Sequence, residues 1–474
     1  MQQTIGKTTF DNQGFGSILT HARKLEGQQL REIAKSMLRP ELIELKGKGA
    51  AGQLLHSWFG LKDNDNRAEP DLMSVRFSDG RTGGVEIKAV PLMLKKRGLR
   101  IKERCKVTNI DYGQLLDETW SVSRARHKLI SVMFIFYRYA GLENWPASQV
   151  EKIVYWEVET AQVGGTIRLD WQRTWDYVSE GRAHEISEGH GMILGACTTG
   201  QGGDSKHVIQ PRNTLELARK RAFALKPAFL QTTYEYIISP ASFKSISTLS
   251  GKTFSADLKA EVLLGFEPLI GKRLEEIANR LKISKQKTKH ASALLVRRAL
   301  GILNDKKRLL ELEAAGVKPK TIPVRERDLR PCEAMSFPAM RLTEFVEEEW
   351  KDSEFRAHLD CLLLIPTLAV HCKQELWSRR LGRPFFWTPS GDDEAGIANE
   401  WEMFKQEIIE GKAAYKRVNG RRISKLTPGS MTKYIHLRPK SRDGTEDDVD
   451  PNGRRTQRLC FWLNQSFIQK LLHK

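Results

Sequence analysis

The sequence predicts an α/β protein that contains two tandem copies of one domain. Three observations support this prediction. The chain has 474 residues, 40% of them hydrophobic, which suits two or three domains with sizeable cores. A run rich in β-branched residues in the first half has the pattern of a β-hairpin. Landmarks of the first half then recur in the second half in the same order.

The chain is strongly basic, with a formal net charge of +19 and an isoelectric point near 9.6. This excess favours a polyanionic partner, most often nucleic acid; the alternative is a basic protein without such a partner. No apolar run is long enough to span a membrane, and the start, MQQTIGKTTFDNQG, lacks the apolar segment of a signal peptide. We therefore expect a cytoplasmic protein with no membrane association.

The six cysteines are scattered along the chain, and no Cys-x-x-Cys pair occurs among them. This spacing predicts reduced thiols and argues against a disulfide framework or a structural zinc site. The positions are Cys105, Cys197, Cys332, Cys361, Cys372 and Cys460.

The predicted hairpin lies in PDLMSVRFSDGRTGGVEIK, residues 70–88. LMSVRF and GGVEIKAV have the composition of strands, and an Asp-Gly turn signal separates them. Glu86 and Lys88 lie two apart and share one face of the second strand, whereas Ile87 points into a core. Pro70 sets an extended entry to the first strand, so closure of the hairpin brings Asp71 close to Glu86.

This set of residues suits phosphodiester hydrolysis. Two carboxylates, Asp71 and Glu86, can hold Mg²⁺ through oxygen ligands and leave positions open for water. A bound metal ion lowers the pKa of water, and Lys88 can orient that water and stabilise developing negative charge. The alternative is an ordinary solvated hairpin, because these residue types recur by chance in basic proteins.

The internal repeat is collinear. WSVSRARHKLISVMFIF, from Trp120, matches WKDSEFRAHLDCLLLIP, from Trp350, at an offset of 230 residues. AFALKPAFLQ (222–231) matches CFWLNQSFIQ (460–469) at an offset of 238. The offset of 230 recurs in Trp171–Trp401 and Gly181–Gly411.

The repeat predicts a first domain at 1–240, a Ser/Thr-rich linker at 241–261 and a second domain at 262–474. A basic helical stretch, residues 268–301, opens the second copy; it is either a solvated helix face or a DNA contact.

The second copy lacks the acidic residue of the hairpin. GGVEIKAVP aligns with AGVKPKTIP, so Lys318 stands in the place of Glu86 and Lys320 in the place of Lys88. A lysine cannot ligate a cation, and Pro319 would remove a hydrogen-bond donor from a central strand. The second copy is therefore predicted to bind without catalysing.

These segments together resemble a known family. GKGAAGQLLHSWFG, PDLM…GGVEIKAVP, WSVSRARHKL, HEISEGHGMILGACTTG and RAFALKPAFL are similar to segments of the MutH family of GATC-directed endonucleases. The chain resembles most the two-domain type II restriction enzymes of that family. The resemblance implies two tandem restriction-endonuclease folds, each a mixed sheet flanked by helices, the second catalytically degenerate.

The resemblance also implies residue roles. Asp71 and Glu86 match the acids of the PD-(D/E)xK motif and would hold Mg²⁺, and Lys88 matches its lysine. Lys128 matches a further active-site lysine facing the scissile phosphate; the alternative is a surface lysine.

Three more lysine and arginine positions are implied to contact DNA. Lys48 lies on a glycine-rich loop, and Arg438 and Lys440 lie in YIHLRPK, which matches the base-reading run of the family. Arg438 either reads guanine in the major groove or contacts phosphate. His56 stands where the family has a metal-binding glutamate; imidazole suits softer ions than Mg²⁺, so His56 either ligates poorly or acts through water.

Three functions from different classes follow. The first is a Mg²⁺-dependent type II restriction endonuclease that cuts both strands at GATC, partnered by a DNA methyltransferase in a bacterial cytoplasm and acting as monomers that pair on DNA. The second is a MutH-like nicking enzyme of mismatch repair. The third is a GATC-binding protein that has lost catalysis.

Overall fold

The hairpin that carries the candidate acids belongs to a mixed sheet in the first of two structural units. The computed structural model describes residues 2–5, 8–47, 49–61, 69–95, 98–159, 162–199, 207–251, 255–280, 291–302, 307–440 and 447–473. The first unit comprises residues 1–245, 255–257 and 307–316, and the second comprises 246–254, 258–306 and 317–474.

The helices are short, apart from one long helix in each unit. They are α1 Phe15–Arg23, α2 Leu30–Ser36, α3 Ala50–Trp58, α4 Tyr112–Leu116, α5 Arg124–Leu129, α6 Gly164–Ser179, α7 Pro227–Ile238, α8 Ile246–Ser250, α9 Leu258–Phe266, α10 Leu274–Arg280, α11 Ala291–Ala299, α12 Leu310–Ala314, α13 Leu342–Phe345, α14 Glu354–Leu359, α15 Gly391–Ile409 and α16 Gln465–Leu472.

The strands are β1 Gln2–Ile5, β2 Thr8–Asp11, β3 Leu72–Arg76, β4 Thr82–Lys95, β5 Gly98–Ile101, β6 Cys105–Ile110, β7 Val132–Arg138, β8 Gln149–Trp156, β9 Leu194–Thr198, β10 His207–Gln210, β11 Asn213–Arg219, β12 Arg221–Leu225, β13 Phe243–Lys244, β14 Arg308–Leu309, β15 Lys318–Arg325, β16 Met335–Ser336, β17 Leu362–Ala369, β18 Arg380–Leu381, β19 Phe385–Trp387, β20 Lys416–Val418, β21 Arg421–Ile423, β22 Ile435–Pro439, β23 Asp447–Val449, β24 Arg455–Gln457 and β25 Leu459–Leu463.

The main sheet of the first unit has the order β3-β4-β7-β8, and β5 pairs with the far half of β4. β4 and β7 run parallel, whereas β3 and β8 are antiparallel to their neighbours, so the sheet is mixed. The β7 segment 132–137 is buried throughout, as expected for a strand covered on both faces. Its Met133 and Ile135 share a core with α1 to α3, whereas Phe134 and Phe136 contact aromatic rings of α7.

The second unit repeats the central part of this arrangement. The sheet β15-β17-β18 corresponds to β4-β7-β8, and β16-β25-β22 corresponds to β6-β12-β9. The predicted repeat extends to side-chain geometry. Trp120 and Trp171 have ring centroids 5.9 Å apart at 58°, and Trp350 and Trp401 have centroids 5.8 Å apart at 60°. The fold class predicted from the repeat is confirmed.

The structure corrects the predicted position of the degenerate strand. β15 is the first strand in the order β15-β17-β18 and pairs with β17, so it is an edge strand of that sheet. The sequence had predicted a central strand. An edge strand tolerates Pro319 and Pro323, because their missing N–H groups face away from the ladder with β17.

The region between the two predicted domains differs from a simple linker. Of residues 241–261, part belongs to each unit, and they include α8 and the first residues of α9. The predicted basic helical stretch contains α10 and α11, and its residues 281–290 lie outside the described part of the chain.

The expectation that all six cysteines are reduced is wrong for one pair. Cys332 and Cys372 form a disulfide with their Cα atoms 5.2 Å apart. They follow β15 and β17, which are parallel neighbours, so the ends of these strands bring the cysteines together across 40 residues of sequence. Cys105, Cys197, Cys361 and Cys460 remain thiols and are buried.

Candidate active site

The predicted hairpin is present in the first unit, where β3 pairs antiparallel with β4. The register shifts between Leu72 and Val75, and Ser74 has a φ of +55° at this irregularity. Gly84 allows the entry of the hairpin to close, since a Cβ at this position would lie 2.5 Å from Pro70 Cγ. The glycine therefore fixes how closely the chain at Asp71 approaches β4.

Asp71 lies beside the second acid of the motif. Its Oδ2 accepts a hydrogen bond of 2.7 Å from the backbone N–H of Ile87. Ile87 itself is fully buried in the core behind the sheet, as predicted. The bond holds the Asp71 carboxylate over the backbone that links Glu86 to Lys88.

Glu86 is the centre of the site and is only 2% exposed. Its Oε1 lies 2.6 Å from Lys88 Nζ, and its Oε2 accepts a hydrogen bond of 2.9 Å from Lys128 Nζ. Lys128 comes from the last turn of α5, whose N-terminus is capped by Ser123 accepting from Arg126 N at 3.1 Å. The structure thus brings together the four residues predicted to be catalytic.

The electrostatics of the site keep Lys88 protonated. Burial alone would lower the pKa of Lys88, but Glu86, together with Cys105 and Asp71, outweighs it, and the pKa is raised above its ordinary value. Burial also raises the pKa of Cys105 to about 11, so the neighbouring thiol stays neutral. Lys88 is therefore a hydrogen-bond donor and not a proton acceptor in this arrangement.

His56 lies at the same site, on α3. Its Nε2 is 3.2 Å from the carbonyl oxygen of Ile87, between the acid and the lysine of the motif. Carbonyl oxygen is a ligand that hard cations accept, and here it contacts an imidazole nitrogen. His56, which replaces the glutamate that the resemblance implied, therefore contacts the backbone between the acid and the lysine of the motif.

The donor set fits a hard divalent cation. Asp71, just before β3, and Glu86, on β4, offer carboxylate oxygens, and their two negative charges are matched by those of Lys88 and Lys128. Among the described residues, no group of three His, Cys, Asp or Glu side chains is positioned to hold a metal ion. The two acids would therefore need the Ile87 carbonyl, water or substrate oxygens to complete the coordination.

The register of the sheets identifies the corresponding residues of the second unit. In the first unit Glu86 pairs with Val132, and in the second unit Lys318 pairs with Leu362. Val132 and Leu362 are 230 residues apart, the offset of the repeat. Lys318 therefore occupies the position of Glu86, as predicted. The same offset places His358 where α5 has Lys128, a replacement that the sequence analysis missed.

Of the three residues that the resemblance implied to contact DNA, two lie in the described part of the second unit. Lys48 lies outside the described residues. Arg438 and Lys440 are exposed at the end of β22, and their charged groups lie 5.9 Å and 5.7 Å from the centroid of the Trp462 ring. In the first unit the position of Arg438 is taken by Cys197, because Cys197 pairs with Ala222 as Arg438 pairs with Cys460.

A second pair of acids went unnoticed in the sequence. Asp170 on α6 is fully buried and accepts hydrogen bonds of 2.7–3.0 Å from the backbone N–H groups of residues 192–194. Glu400 on α15 accepts equivalent bonds from residues 433–435. The two acids are 230 residues apart, so the offset of the repeat was the signal that could have found them. They fix the backbone that enters β9 and β22.

Comparisons with known proteins agree with the presence of two similar units in the chain. Residues 60–170 and 300–400 match the family described as DNA mismatch repair enzyme MutH. The type II restriction enzyme Sau3AI of Staphylococcus aureus is 27% identical over 94% of this chain and 98% of its own length. The DNA mismatch repair protein MutH of Actinobacillus pleuropneumoniae serotype 3 is 27% identical over 48% of this chain and 96% of its own. MutH of Shewanella amazonensis is 25% identical over 47% of this chain and 95% of its own.

Within the described residues, no helix has the length and apolar character needed to cross a membrane. The MutH relatives align with about half of this chain, whereas the restriction enzyme aligns with nearly all of it. The chain is therefore MutH-like in both halves and is related, along its length, to a type II restriction enzyme.

Proposed function

We propose that this protein is a type II restriction endonuclease that uses Mg²⁺ to cleave both strands of DNA at GATC. The observation that carries the proposal is the buried Glu86 carboxylate, which joins Lys88, Lys128 and the neighbouring Asp71 in one site. The similarity to a restriction enzyme over 94% of the chain supports the same activity.

The residues of the site have separate roles in this proposal. Asp71 and Glu86 hold the cation. When bound, the cation lowers the pKa of a water molecule and offsets charge on the phosphodiester. Lys88 is protonated and donates a hydrogen bond that orients the attacking water. Lys128 turns from Glu86 to the scissile phosphate and stabilises the negative charge that develops on its oxygens.

The proposal gives each chain one catalytic site, because the second unit has Lys318 in the position of Glu86. Cleavage of both strands then needs two chains on one site or two sequential nicks. We infer monomers that pair on DNA, with Lys48, Arg438 and Lys440 contacting it. A methyltransferase of the same specificity would protect host DNA. The functional division we propose remains a catalytic domain at 1–240 and a binding domain at 262–474, joined by 241–261.

The test is to incubate the purified protein with unmethylated plasmid and Mg²⁺ and to sequence the fragment ends. Ends that cluster at GATC, and that disappear with Glu86→Ala, support the proposal. Ends at unrelated sequences would contradict the specificity, and cutting by Glu86→Ala would contradict the assigned site.

A second candidate function is a nicking endonuclease, favoured by the MutH relatives that align with half of the chain. Nicked circles without linear product would support it. A third is a DNA-binding protein without activity, favoured by the contact of His56 with the Ile87 carbonyl where a metal would bind. Intact plasmid that is bound and shifted would support this third function.

A further inference from the structure

The second unit replaces the acidic centre of the first unit with a cluster of lysines. β15 pairs with β17 through Lys318↔Leu362 and Lys320↔Leu364, in the register that places Glu86 and Lys88 in β4. Lys318 and Lys320 lie two apart on one strand, so they project on the same face.

Lys440 completes the cluster from the neighbouring sheet. Its Nζ donates a hydrogen bond of 2.8 Å to Ser336 Oγ, and Lys320 Nζ donates one of 3.1 Å to the backbone oxygen of the same serine. Two ammonium groups therefore converge on one residue. Trp462, which pairs with Ser336, presents its ring to Lys440 and Arg438.

Among the residues that the structure describes, the positive charge of the cluster has no carboxylate partner. Within the described ranges, no carboxylate lies within ion-pair distance of Lys318, Lys320, Arg438 or Lys440. Burial lowers the pKa of Lys320, and the charge of Lys440 lowers it further. Each ammonium has three donors, and the hydrogen bond to Ser336 uses one of them. An anion with several acceptor oxygens would offset the repulsion and take up the remaining donors.

We propose that Lys318, Lys320 and Lys440 form a phosphate-binding site that takes a DNA phosphodiester directly, without a divalent cation. This site adds a DNA contact to the proposed function. The choice of DNA as the source of the phosphate rests on that function. Lysine binds phosphate as a point charge, and the Trp462 ring faces the charged groups of Lys440 and Arg438. Where the first unit reaches phosphate through carboxylates and a cation, the second contacts it with ammonium groups.

The test measures binding of a fluorescent 20-base-pair GATC duplex to the full-length protein in EDTA, by anisotropy. Lys320→Met/Lys440→Met should weaken binding about tenfold and reduce the slope of log affinity against log salt by about one or two. Lys373→Met is the control, because it removes one exposed charge of the same unit beyond the far end of β17. Affinity of the double variant equal to that of the control would overturn the proposal.

Two further measurements distinguish a phosphate site from a loss of stability and from general salt screening. Lys318→Gln and Lys440→Gln alter exposed side chains and should each weaken metal-free binding about threefold, without a change in thermal stability. Inorganic phosphate should compete with the duplex more strongly than chloride of equal ionic strength for the wild type, and not for the double variant. Equal competition by both salts for both proteins would overturn phosphate as the ligand.

Failure of the proposed function gives a different result. If the wild type leaves unmethylated plasmid uncut and the double variant loses metal-free binding, the nuclease proposal is refuted and the phosphate site is supported. If the wild type cuts at GATC and the wild type and the double variant bind the duplex equally well without metal, only the phosphate site is refuted.

Discussion

Replacing Lys128 by methionine should destabilise the protein and at the same time strengthen its binding of divalent cations. Lys128 Nζ lies 2.9 Å from Glu86 Oε2, and the two side chains are 8% and 2% exposed. At this distance and an effective dielectric constant of about 20, their attraction is about 6 kcal/mol before desolvation. Removal of one partner of a buried pair costs about 3–5 kcal/mol, because the other charge stays buried. Since Lys88 still pairs with Glu86, we expect a loss near the lower end, about 3 kcal/mol.

The free energy of unfolding would be measured by urea denaturation in EDTA, for the wild type and Lys128→Met. Lys152→Met is a matched control, because Lys152 Nζ also lies 2.9 Å from a carboxylate, that of Glu26, but these side chains are 39% and 26% exposed. An exposed pair contributes less than about 1 kcal/mol.

Calcium binding would then be measured without DNA, as the rise in stability with Ca²⁺ concentration. Loss of one positive charge beside the acids should tighten Ca²⁺ binding about tenfold, which adds about 1.4 kcal/mol of stabilisation at saturation. Cleavage with Mg²⁺ should nevertheless become slower, about a hundredfold, because the phosphate loses a donor. If Lys128→Met is as stable as Lys152→Met and both gain equally from Ca²⁺, then Lys128 does not neutralise the metal-binding acids.

Three other changes have expected outcomes. Gly84→Ala puts a Cβ against Pro70, so cleavage should slow about a hundredfold in a plasmid assay, whereas Gly83→Ala, whose Cβ meets its nearest neighbour at 3.6 Å, should cut normally. His56→Glu adds a carboxylate beside the two acids and should lower the Mg²⁺ concentration for half-maximal cleavage about tenfold; an unchanged or higher requirement would contradict this. Burial lowers the pKa of His21 to about 4, so the folded protein keeps this ring neutral while the unfolded chain protonates it below about pH 6.5; the resulting stability is complete above about pH 6.5 and is lost as the pH falls toward 4. The unfolding free energy should drop by about 2 kcal/mol between pH 7.5 and 5 relative to His21→Phe, and parallel pH profiles would refute it.

The four catalytic candidates could be predicted from the sequence because their grouping depends on local rules. Glu86 and Lys88 share a face through strand alternation, and the hairpin returns Asp71 to them. Lys128 comes from a distant segment, and only the family resemblance pointed to it. In the structure it reaches Glu86 because α5 leads into β7, the parallel neighbour of β4.

Other features could not be predicted because they depend on which strands become neighbours. The disulfide of Cys332 and Cys372 requires β15 and β17 to be adjacent, and a spacing of 40 residues does not indicate that. The edge position of β15 was open to prediction only through Pro319 and Pro323, which favour an edge strand, whereas the pairing with β17 itself has no local signal. The contact of His56 with Ile87 likewise depends on how α3 packs against the sheet.

In our proposals the two units bind the same ligand, DNA phosphate, in two different ways. In the first unit the two carboxylates, Asp71 and the buried Glu86, face two lysines, so the site is close to neutral and can accept a divalent cation. In the second unit the same register position is Lys318, Lys320 shares its face of the strand, and Lys440 meets Lys320 at Ser336. A cation is repelled there and an anion is attracted. Each site lies on the sheet of its own unit, and in our proposal the charge at this register position, glutamate or lysine, contributes to whether a cation or an anion is held. In a Glu86→Ala background, Lys318→Glu should therefore weaken metal-free DNA binding without restoring cleavage, because His358 still stands in the place of Lys128.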